Sequence, residues 1–256
     1  MIVIEKQDHF IMIQQHDHAY ISGQIVAFWK KNFLLRSKLR EVADWAIQQH
    51  DRAWIPLDQN PAWNEEKQRP YSFIDYPLAE KIEAYRRGIE EVEEQSLYAG
   101  ILCSMHYASF FKEDSGVQEE RNFIEEEKNR RSRLFEQMDM DIPEDIYQLH
   151  FRRLQFCDDL SLFLCMTGPD VPEEEEVPWF RNGFPQTFDV APEGIRADWE
   201  AEDRISVHPF PFAQPFEVDI PYRRVGKQDI SDKGLLAAYQ KEEVRHKTVA
   251  VVRKQD

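Results

Sequence analysis

The sequence predicts a mainly α-helical fold of the α+β class, in which a helical bundle carries a small β-sheet. Apolar residues recur at three- and four-residue spacing from about residue 17 to about residue 167, as in amphipathic helices. The first 14 residues and the stretch after about residue 204 alternate between apolar and polar, as strands do. We therefore expect a single domain over 1–256, with an all-α helical core at 15–167 and an accessory sheet built from an N-terminal hairpin in 1–14 and C-terminal strands in 195–256.

The N-terminal segment predicts a hairpin followed by a helix. Its strands are Met1–Glu5 and Phe10–Gln14, joined by the polar stretch Lys6–His9. The first helix is expected to run from an N-cap at Asp17 to about Lys31. Because an isolated hairpin is only marginally stable, we expect these strands to join those of the C-terminal tail.

The second predicted helix ends at a histidine. Its apolar residues occupy positions i, i+3, i+4, i+7 and i+8, namely Leu39, Val42, Ala43, Ala46 and Ile47. His50 follows at i+11, and Asp51 comes directly after it. His50 is therefore expected at the end of a buried stripe rather than on the solvated face.

Four more helices follow an ordered loop at 52–76. One begins after Pro77, and the next, opened by Ser96, is apolar nearly all round, which predicts a central buried helix that contains His106. The segment 117–139 is dense in Glu and Arg, as is typical of a solvated helix. A long helix after Pro143 carries Asp158. The acidic connector 168–178 then leads into the alternating tail.

Composition excludes several classes of protein. The net charge of −16 argues against binding to nucleic acid or to an anionic membrane, since both depend on a basic surface. No apolar run approaches the length of about 20 residues that spans a bilayer, and the N-terminus lacks the pattern of a signal peptide. We therefore expect a cytoplasmic protein. The three cysteines are too few and too scattered for a disulfide framework, and no feature indicates the oligomeric state.

Four residues form a candidate metal site, namely His18, His50, Asp51 and Asp158, each placed on or at the end of a predicted helix. Imidazole and carboxylate ligands suit Mn, Fe, Co, Ni, Zn or Mg without choosing among them. A helical bundle builds such sites by projecting ligands from facing helices into its core. We therefore expect one divalent metal ion. His16 competes with His18, which we prefer because it lies inside the helix.

The same residues stand in motifs that resemble a known superfamily. QHDHAYISGQIVAFW (15–29), AIQQHDRAW (46–54) and FCDDLSLFLC (156–165) carry the order His…His-Asp…Asp of the HD-domain metal-dependent phosphohydrolases. The 32 residues from His18 to His50 are also similar to the spacing in that superfamily. This resemblance covers 15–167. The DHA motif, the RPYSFIDYP loop and the DLSL helix, over nearly the whole chain, also resemble an uncharacterised bacterial family of unknown function.

The HD resemblance implies a helical bundle and a hydrolase of a phosphate ester that uses a metal-activated water. A small phosphorylated molecule is the expected partner, with a nucleotide as one candidate. In this interpretation Asp51 also orients the water, and His106 faces the metal-bound water or the phosphate. Arg69 is a candidate phosphate clamp because a guanidinium fork matches phosphate oxygens. Trp54, Tyr71 and Phe73 are candidates for stacking on a base or sugar.

Two other interpretations stay open. The chain lacks the further His or Glu that would pair with His106 on the central helix, which favours a non-catalytic HD-like module that binds a metal or a nucleotide. In the third interpretation the histidines are ordinary core residues. Asp158 is then a buried carboxylate paired with Arg152 or Arg153, because a buried charge needs a partner.

Overall fold

Strands and helices share the chain more evenly than the sequence predicts. The computed structural model describes residues 1–31, 38–169 and 178–255. The helices within these ranges are α1 (Gln15–Ala27), α2 (Arg40–Gln49), α3 (Ile55–Gln59), α4 (Leu78–Glu93), α5 (Leu97–Ala108), α6 (Gln118–Gln137), α7 (Glu144–Met166), α8 (Lys227–Lys233) and α9 (Leu235–Lys241). The strands are β1 (Ile2–Glu5), β2 (His9–Ile13), β3 (Trp63–Asn64), β4 (Arg69–Pro70), β5 (Arg196–Ala201), β6 (Arg204–His208), β7 (Phe216–Gly226) and β8 (Arg245–Arg253).

The predicted fold class is wrong. The protein is about 49% helix and 21% strand, and six of its strands form one curled sheet. It is therefore a mixed α/β protein rather than a mainly helical bundle, and the all-α description of it fails as well. The physical reason is the size of the sheet, since β7 alone has 11 residues and β8 has 9.

The large sheet has the strand order β1-β2-β7-β8-β6-β5. Neighbouring strands are antiparallel except β6 and β8, which run parallel. The N-terminal hairpin joins the C-terminal strands through β2 and β7, where Phe10 lies opposite Val225. Along β7 buried and exposed residues alternate, because successive side chains of a strand point to opposite faces. One face of this strand therefore supplies core residues.

That inner face of the sheet packs against the helices in one apolar core. Ile205 of β6 and Val218 of β7 belong to the same buried cluster as Ile21 of α1 and Leu160 of α7. Helix α1 contacts α2, α7 and β7, so it lies between the sheet and the other helices. It begins at Gln15, two residues before the predicted N-cap. The side chains that α1 buries therefore lie where both layers meet.

Helices α2, α4, α5 and α7 form the wall around the predicted ligands. Helix α5 packs against α2, α4 and α7, and most of its side chains are buried, as expected of a central helix. Ser96 caps it, since its Oγ accepts a hydrogen bond of 3.3 Å from the backbone N–H of Ala99. The solvated character predicted for 117–139 is confirmed in α6, where Glu127 is one of only four buried residues.

Helix α4 approaches the chain closely just after Asp51. Residues Arg52–Trp54 form a 3₁₀ turn, and Gly88 of α4 lies against it. A Cβ atom added at Gly88 would lie 2.5 Å from the Cα of Ala53, closer than side chains tolerate. The glycine therefore allows α4 to support the backbone that carries Asp51.

Two further sequence predictions concern membrane-spanning helices and the acidic connector. Among the described residues no helix is both long enough and apolar enough to cross a membrane. Most of the acidic connector, residues 170–177, lies outside the described residues.

Candidate metal centre

His50 and Asp51 lie where helix α2 ends. The helix buries Ala43, Ala46 and Ile47, and His50 continues that stripe with a fully buried side chain. The chain then leaves the helix, because Asp51 has φ −109° and ψ 25° and begins the 3₁₀ turn. This change of direction lets the adjacent side chains reach the same point, with His50 Nε2 lying 4.0 Å from Asp51 Oδ2.

The orientation of His50 is fixed by the backbone. Its Nδ1 lies 2.6 Å from the carbonyl oxygen of Ile47, so this nitrogen carries the proton and donates it. The lone pair of a neutral ring is then on Nε2, which faces the carboxylates. Histidine ligands of metals are commonly oriented in this way.

His18 of α1 contacts Asp51 on one side and Ser161 on the other. Its Nε2 lies 2.7 Å from Asp51 Oδ2, and its Nδ1 lies 2.7 Å from Ser161 Oγ. Since the Ser161 hydroxyl donates to the carbonyl oxygen of Asp158 at 2.9 Å, it accepts from His18. In a neutral His18 ring the lone pair is therefore on Nε2, which faces a carboxylate oxygen of Asp51. A proton or a metal cation is needed to make this contact favourable.

Asp158 of α7 completes the cluster. Its Oδ1 lies 3.3 Å from His50 Nε2 and 3.8 Å from His18 Nδ1, and its Oδ2 lies 4.0 Å from His106 Nε2. The alternative arginine pairing is wrong for Arg153, whose Nη2 binds Asp44 at 2.7 Å. Within the described part of the chain, no lysine or arginine forms an ion pair with Asp51 or Asp158. The two buried carboxylates therefore face imidazoles rather than permanent cations.

His106 of α5 is buried next to these groups without a hydrogen bond. Neither of its ring nitrogens has a partner among the described residues, and the Nε2 of His50 has none either. The 3.3 Å approach of His50 to Asp158 is thus a charge contact rather than a well-aligned hydrogen bond. A buried polar atom without a partner costs about 1–3 kcal/mol. Such atoms are rare in folded proteins, and three of them in one cluster of metal-ligand residues fit a site built for a cation.

The ligand atoms are close enough together to share an ion. His18, His50 and Asp51 form one group with mutual distances within 4.8 Å, and His50, His106 and Asp158 form a second. Ligands at about 2.0–2.2 Å from one ion lie roughly 3–4 Å from each other. The structure thus brings together all four predicted ligands and His106, in two groups that meet at His50.

The electrostatics of the cluster favour a cation. Burial alone would raise the pKa values of Asp51 and Asp158, but the neighbouring histidines hold both below their usual range. Burial lowers the pKa of His50, yet Asp158 and Asp51 outweigh it and raise the value to about 9. Burial also lowers the pKa of His106, to about 4, so this ring is neutral at pH 7. Without a metal, the cluster therefore holds two charged carboxylates, a protonated His50 and a neutral His106 at pH 7, and a bound metal cation would take the place of the proton on His50.

A cavity of about 350 Å³ leads to the cluster. Three carboxylates line it, those of Asp51, Asp158 and Asp159. Lys81 and several aromatic side chains, including Trp54 and Phe73, form other parts of its wall. A small molecule that entered this cavity would therefore meet the cluster directly.

The structure does not bring Arg69 to this site. Its Nη2 binds Asp75 Oδ2 at 2.9 Å, and Arg69 is not among the described residues that line the cavity. Lys67 binds the same oxygen at 2.9 Å. Asp75 thus holds the guanidinium that the sequence suggested as a phosphate clamp in an ion pair away from the cavity. Tyr71 is also outside the described lining, whereas Trp54 and Phe73 belong to it.

The other histidines near the site have different environments. His150 Nδ1 lies 2.7 Å from the hydroxyl of Tyr98, so this imidazole is a hydrogen-bonded core residue. His16 is only partly buried and belongs to neither ligand group of the described residues. Its more exposed position agrees with the preference for His18.

Sequence reasoning missed the residues that orient the ligands. Gln15 Nε2 donates to Asp51 Oδ2 at 3.0 Å, and the backbone N–H of Gln15 donates to Asp58 Oδ2 at 2.6 Å. Ser161 holds His18. Groups that hold metal ligands in place contribute strongly to metal affinity. Ser161 lies three residues after Asp158, on the same side of the helix, so its position was a usable signal; nothing distinguished Gln15 or Asp58.

Comparison with known proteins identifies a family. A family described as a protein of unknown function, DUF3891, matches residues 1–227. No curated protein and no solved structure matches the chain significantly. The family match includes every residue of the cluster and most of the sheet, and ends just after β7. The chain belongs to the DUF3891 family.

Proposed function

We propose that the protein is a metal-dependent hydrolase of a phosphate ester. One observation carries the proposal: five buried histidine and aspartate side chains converge, two of them, Asp51 and Asp158, line a cavity, and three nitrogen atoms of the cluster lack hydrogen-bond partners among the described residues. The order of four of these residues also resembles that of the HD superfamily. Unpaired buried groups are retained where they serve a function, because they lower stability.

Four residues would hold a divalent cation, namely His18, His50, Asp51 and Asp158. Bound there, the ion would supply Lewis-acid activation of a water and of the phosphoryl oxygen. Gln15 and Ser161 keep Asp51 and His18 in place through the hydrogen bonds described above. Asp51 also lines the cavity, so its carboxylate can orient the attacking water.

His106 is the proposed partner of the reacting phosphate. Its ring is neutral at pH 7 and its nitrogens are free of hydrogen bonds to the described residues. The ring lies behind the cavity wall, with its Nε2 4.0 Å from Asp158 Oδ2, so it can donate a hydrogen bond to a phosphate oxygen that is bound beside Asp158. A donor placed where negative charge develops lowers the barrier of phosphoryl transfer. Arg69 has no part in this proposal, because Asp75 holds it elsewhere.

The substrate we propose is a small phosphorylated molecule, with a nucleotide as one candidate, in the cytoplasm. The net charge of −16 disfavours a nucleic-acid substrate. All three cysteines are buried and free, which suits a reducing compartment.

The test starts with the metal. We expect elemental analysis of the purified protein to find a divalent metal, and Asp51→Ala to lose it together with hydrolysis of a nucleotide and phosphodiester panel assayed with Mn. The loss of turnover should exceed about 100-fold, since even residues that only orient ligands cause losses of 10- to 100-fold. Asp145→Ala is the control, because Asp145 is exposed on the same helix as Asp158.

A second measurement does not depend on finding a substrate. Metal added at about 100 times its dissociation constant should stabilise the chelator-treated protein by about 2.7 kcal/mol. The Asp51→Ala variant should not respond. Full metal content in that variant would contradict the assignment, and bound metal without turnover of any ester would instead indicate a non-catalytic HD-like module.

A further inference from the structure

We propose that the cavity selects a molecule with a single phosphate group and a flat aromatic remainder, with Lys81 binding the phosphate. This inference rests on the proposed function, because it places the phosphate beside the metal ligands. It narrows the substrate class from phosphate esters in general to aromatic phosphomonoesters, which include aryl phosphates and nucleoside monophosphates.

Lys81 is the cation that the cavity offers to a ligand. It lies in the first turns of α4 and is the only cationic side chain among the described lining residues. Its Nζ donates to the carbonyl oxygen of Phe73 at 3.4 Å, a long hydrogen bond. It forms no ion pair with any carboxylate of the described residues. An ammonium group has three donors, so at least two remain for an anionic ligand.

The charges that line the cavity limit the number of phosphate groups. Asp51, Asp158 and Asp159 line the same cavity, so three carboxylates accompany one ammonium. A divalent metal ion and Lys81 carry three positive charges, which the three carboxylates offset when ionised, so a ligand with one phosphate adds the least uncompensated negative charge. A diphosphate or triphosphate adds charges without further cations to meet them, and unpaired like charges at close range are strongly unfavourable.

The remaining wall of the cavity is aromatic. Six rings line it, those of Trp54, Phe73, Tyr85, Phe110, Phe111 and Trp179. Two of them are about half exposed, Phe110 at 50% and Trp179 at 49%, and the neighbouring Ile74 is 53% exposed. Large apolar side chains gathered at one opening indicate a binding surface. Aromatic rings bind other flat rings by offset stacking and edge contacts, which points to an aromatic group on the ligand.

The size of the cavity agrees with one small molecule. Its volume of about 350 Å³ lies at the low end for ligand sites, which span about 300–1,000 Å³. With the phosphate at the cluster and Lys81, the rest of the ligand extends between the rings toward Phe110 and Trp179. An aliphatic phosphate would form no ring–ring contact with this wall.

Unreactive phosphonates separate recognition from catalysis. We expect phenylphosphonate to bind the metal-loaded protein at least about tenfold more tightly than propylphosphonate by calorimetry. It should also change the tryptophan fluorescence, because Trp54 and Trp179 line the cavity. AMP, ADP and ATP form a second arm, in which AMP should bind most tightly. Tighter binding of AMP than of phenylphosphonate identifies a nucleoside as the source of the ring.

Lys81→Met tests the phosphate contact. We expect it to weaken phenylphosphonate binding by about 10- to 100-fold, the range for hydrogen bonds to charged groups. Metal content and melting temperature should stay at wild-type values, which shows that the variant folds. Lys241→Met is the matched control, because Lys241 is 61% exposed at the end of α9 and does not line the cavity.

Several outcomes overturn the inference. These are equal binding of the phenyl and propyl ligands, binding of neither, unchanged affinity in Lys81→Met, and ATP binding as tightly as AMP. Failure of the proposed function looks different, since the phosphonates then bind as expected while no ester is hydrolysed. Hydrolysis of aliphatic and aromatic esters at equal rates, unaffected by Lys81→Met, leaves the proposed function intact and removes the inference.

Discussion

The helices and the large sheet bury different kinds of side chain. Of the buried polar and charged residues in the described part of the chain, only Ser206 lies in the six-stranded sheet. The helices bury His18, His106 and Asp158 among others. The inner face of the sheet is apolar, as at Ile205 and Val218. The sheet therefore contributes hydrophobic stabilisation, whereas the helical part also holds groups that burial disfavours.

The helical part itself contains two kinds of buried polar group. His150 and Arg153 have partners, Tyr98 and Asp44. His106 has no hydrogen-bond partner among the described residues. Burial of polar side chains is thus not a general property of these helices. The cluster differs from its surroundings because its groups are left for a ligand.

The largest expected difference is between the effects of two substitutions, one at a core residue of the sheet and one at a metal ligand on a helix. Ile205→Ala should lower the free energy of unfolding by about 2–5 kcal/mol, the usual cost of such a cavity, without changing metal content. Asp158→Asn should weaken metal binding by about 10- to 100-fold or more. It should lower the free energy of unfolding of the metal-free protein by less than Ile205→Ala does. Denaturation in chelator and metal titration measure both quantities. If a folded Ile205→Ala variant lost its metal, the distinction between a stabilising sheet and a ligand-bearing helical part would be wrong.

A smaller difference in stability is expected between substitutions at two of the buried histidines, His150 and His106. His150→Leu leaves the Tyr98 hydroxyl without its partner and should cost about 1–3 kcal/mol of stability. His106→Leu removes two unpaired nitrogens, so the metal-free protein should keep or gain stability while hydrolysis falls. Urea denaturation of both variants in chelator tests this. An equal loss in both would show that His106 has a structural role.

The pH dependence of stability gives a third comparison. Burial, and secondarily Arg153, lower the pKa of His150 from 6.5 to about 4. Between these values the unfolded chain binds the proton and the folded protein does not, so stability is full above about pH 6.5 and falls as the pH drops toward 4. Melting temperatures of the chelator-treated protein over this range should fall less steeply in His150→Leu. An unchanged slope would show that His150 does not contribute to the acid sensitivity.

The sequence predicts helices better than the sheet for a physical reason. The stripe that ends at His50 and the apolar run of α5 leave strong patterns, because helices at the centre of a core are buried over much of their surface. The outer face of an antiparallel sheet is solvated, so half of each strand is polar. The segment Arg196–His208 therefore has only a weak strand pattern, although it forms β5 and β6. The underestimate of the sheet produced the wrong fold class.

The candidate site was also predicted best where its residues lie on strongly patterned helices. Residues on strongly patterned helices, such as His18, His50 and Asp158, could be selected from the sequence together with Asp51. The prediction for Arg69 failed because Asp75 holds its guanidinium away from the cavity, a contact that depends on how the loop folds. Lys81 was missed because a lysine near the start of an amphipathic helix looks like a solvated residue. Partners of charged loop residues depend on tertiary structure, which residue spacing does not encode.

The position of β8 in the sheet has a consequence for synthesis of the protein on the ribosome. This strand follows all the others in chain order, yet it lies between β7 and β6. Every residue of the cluster emerges well before it, and until it arrives both of these neighbours have an unpaired edge. Unpaired edges of nascent strands promote aggregation. The nascent chain therefore passes through a stage in which chaperones have exposed strands to protect, although the helices that carry the cluster have already been translated.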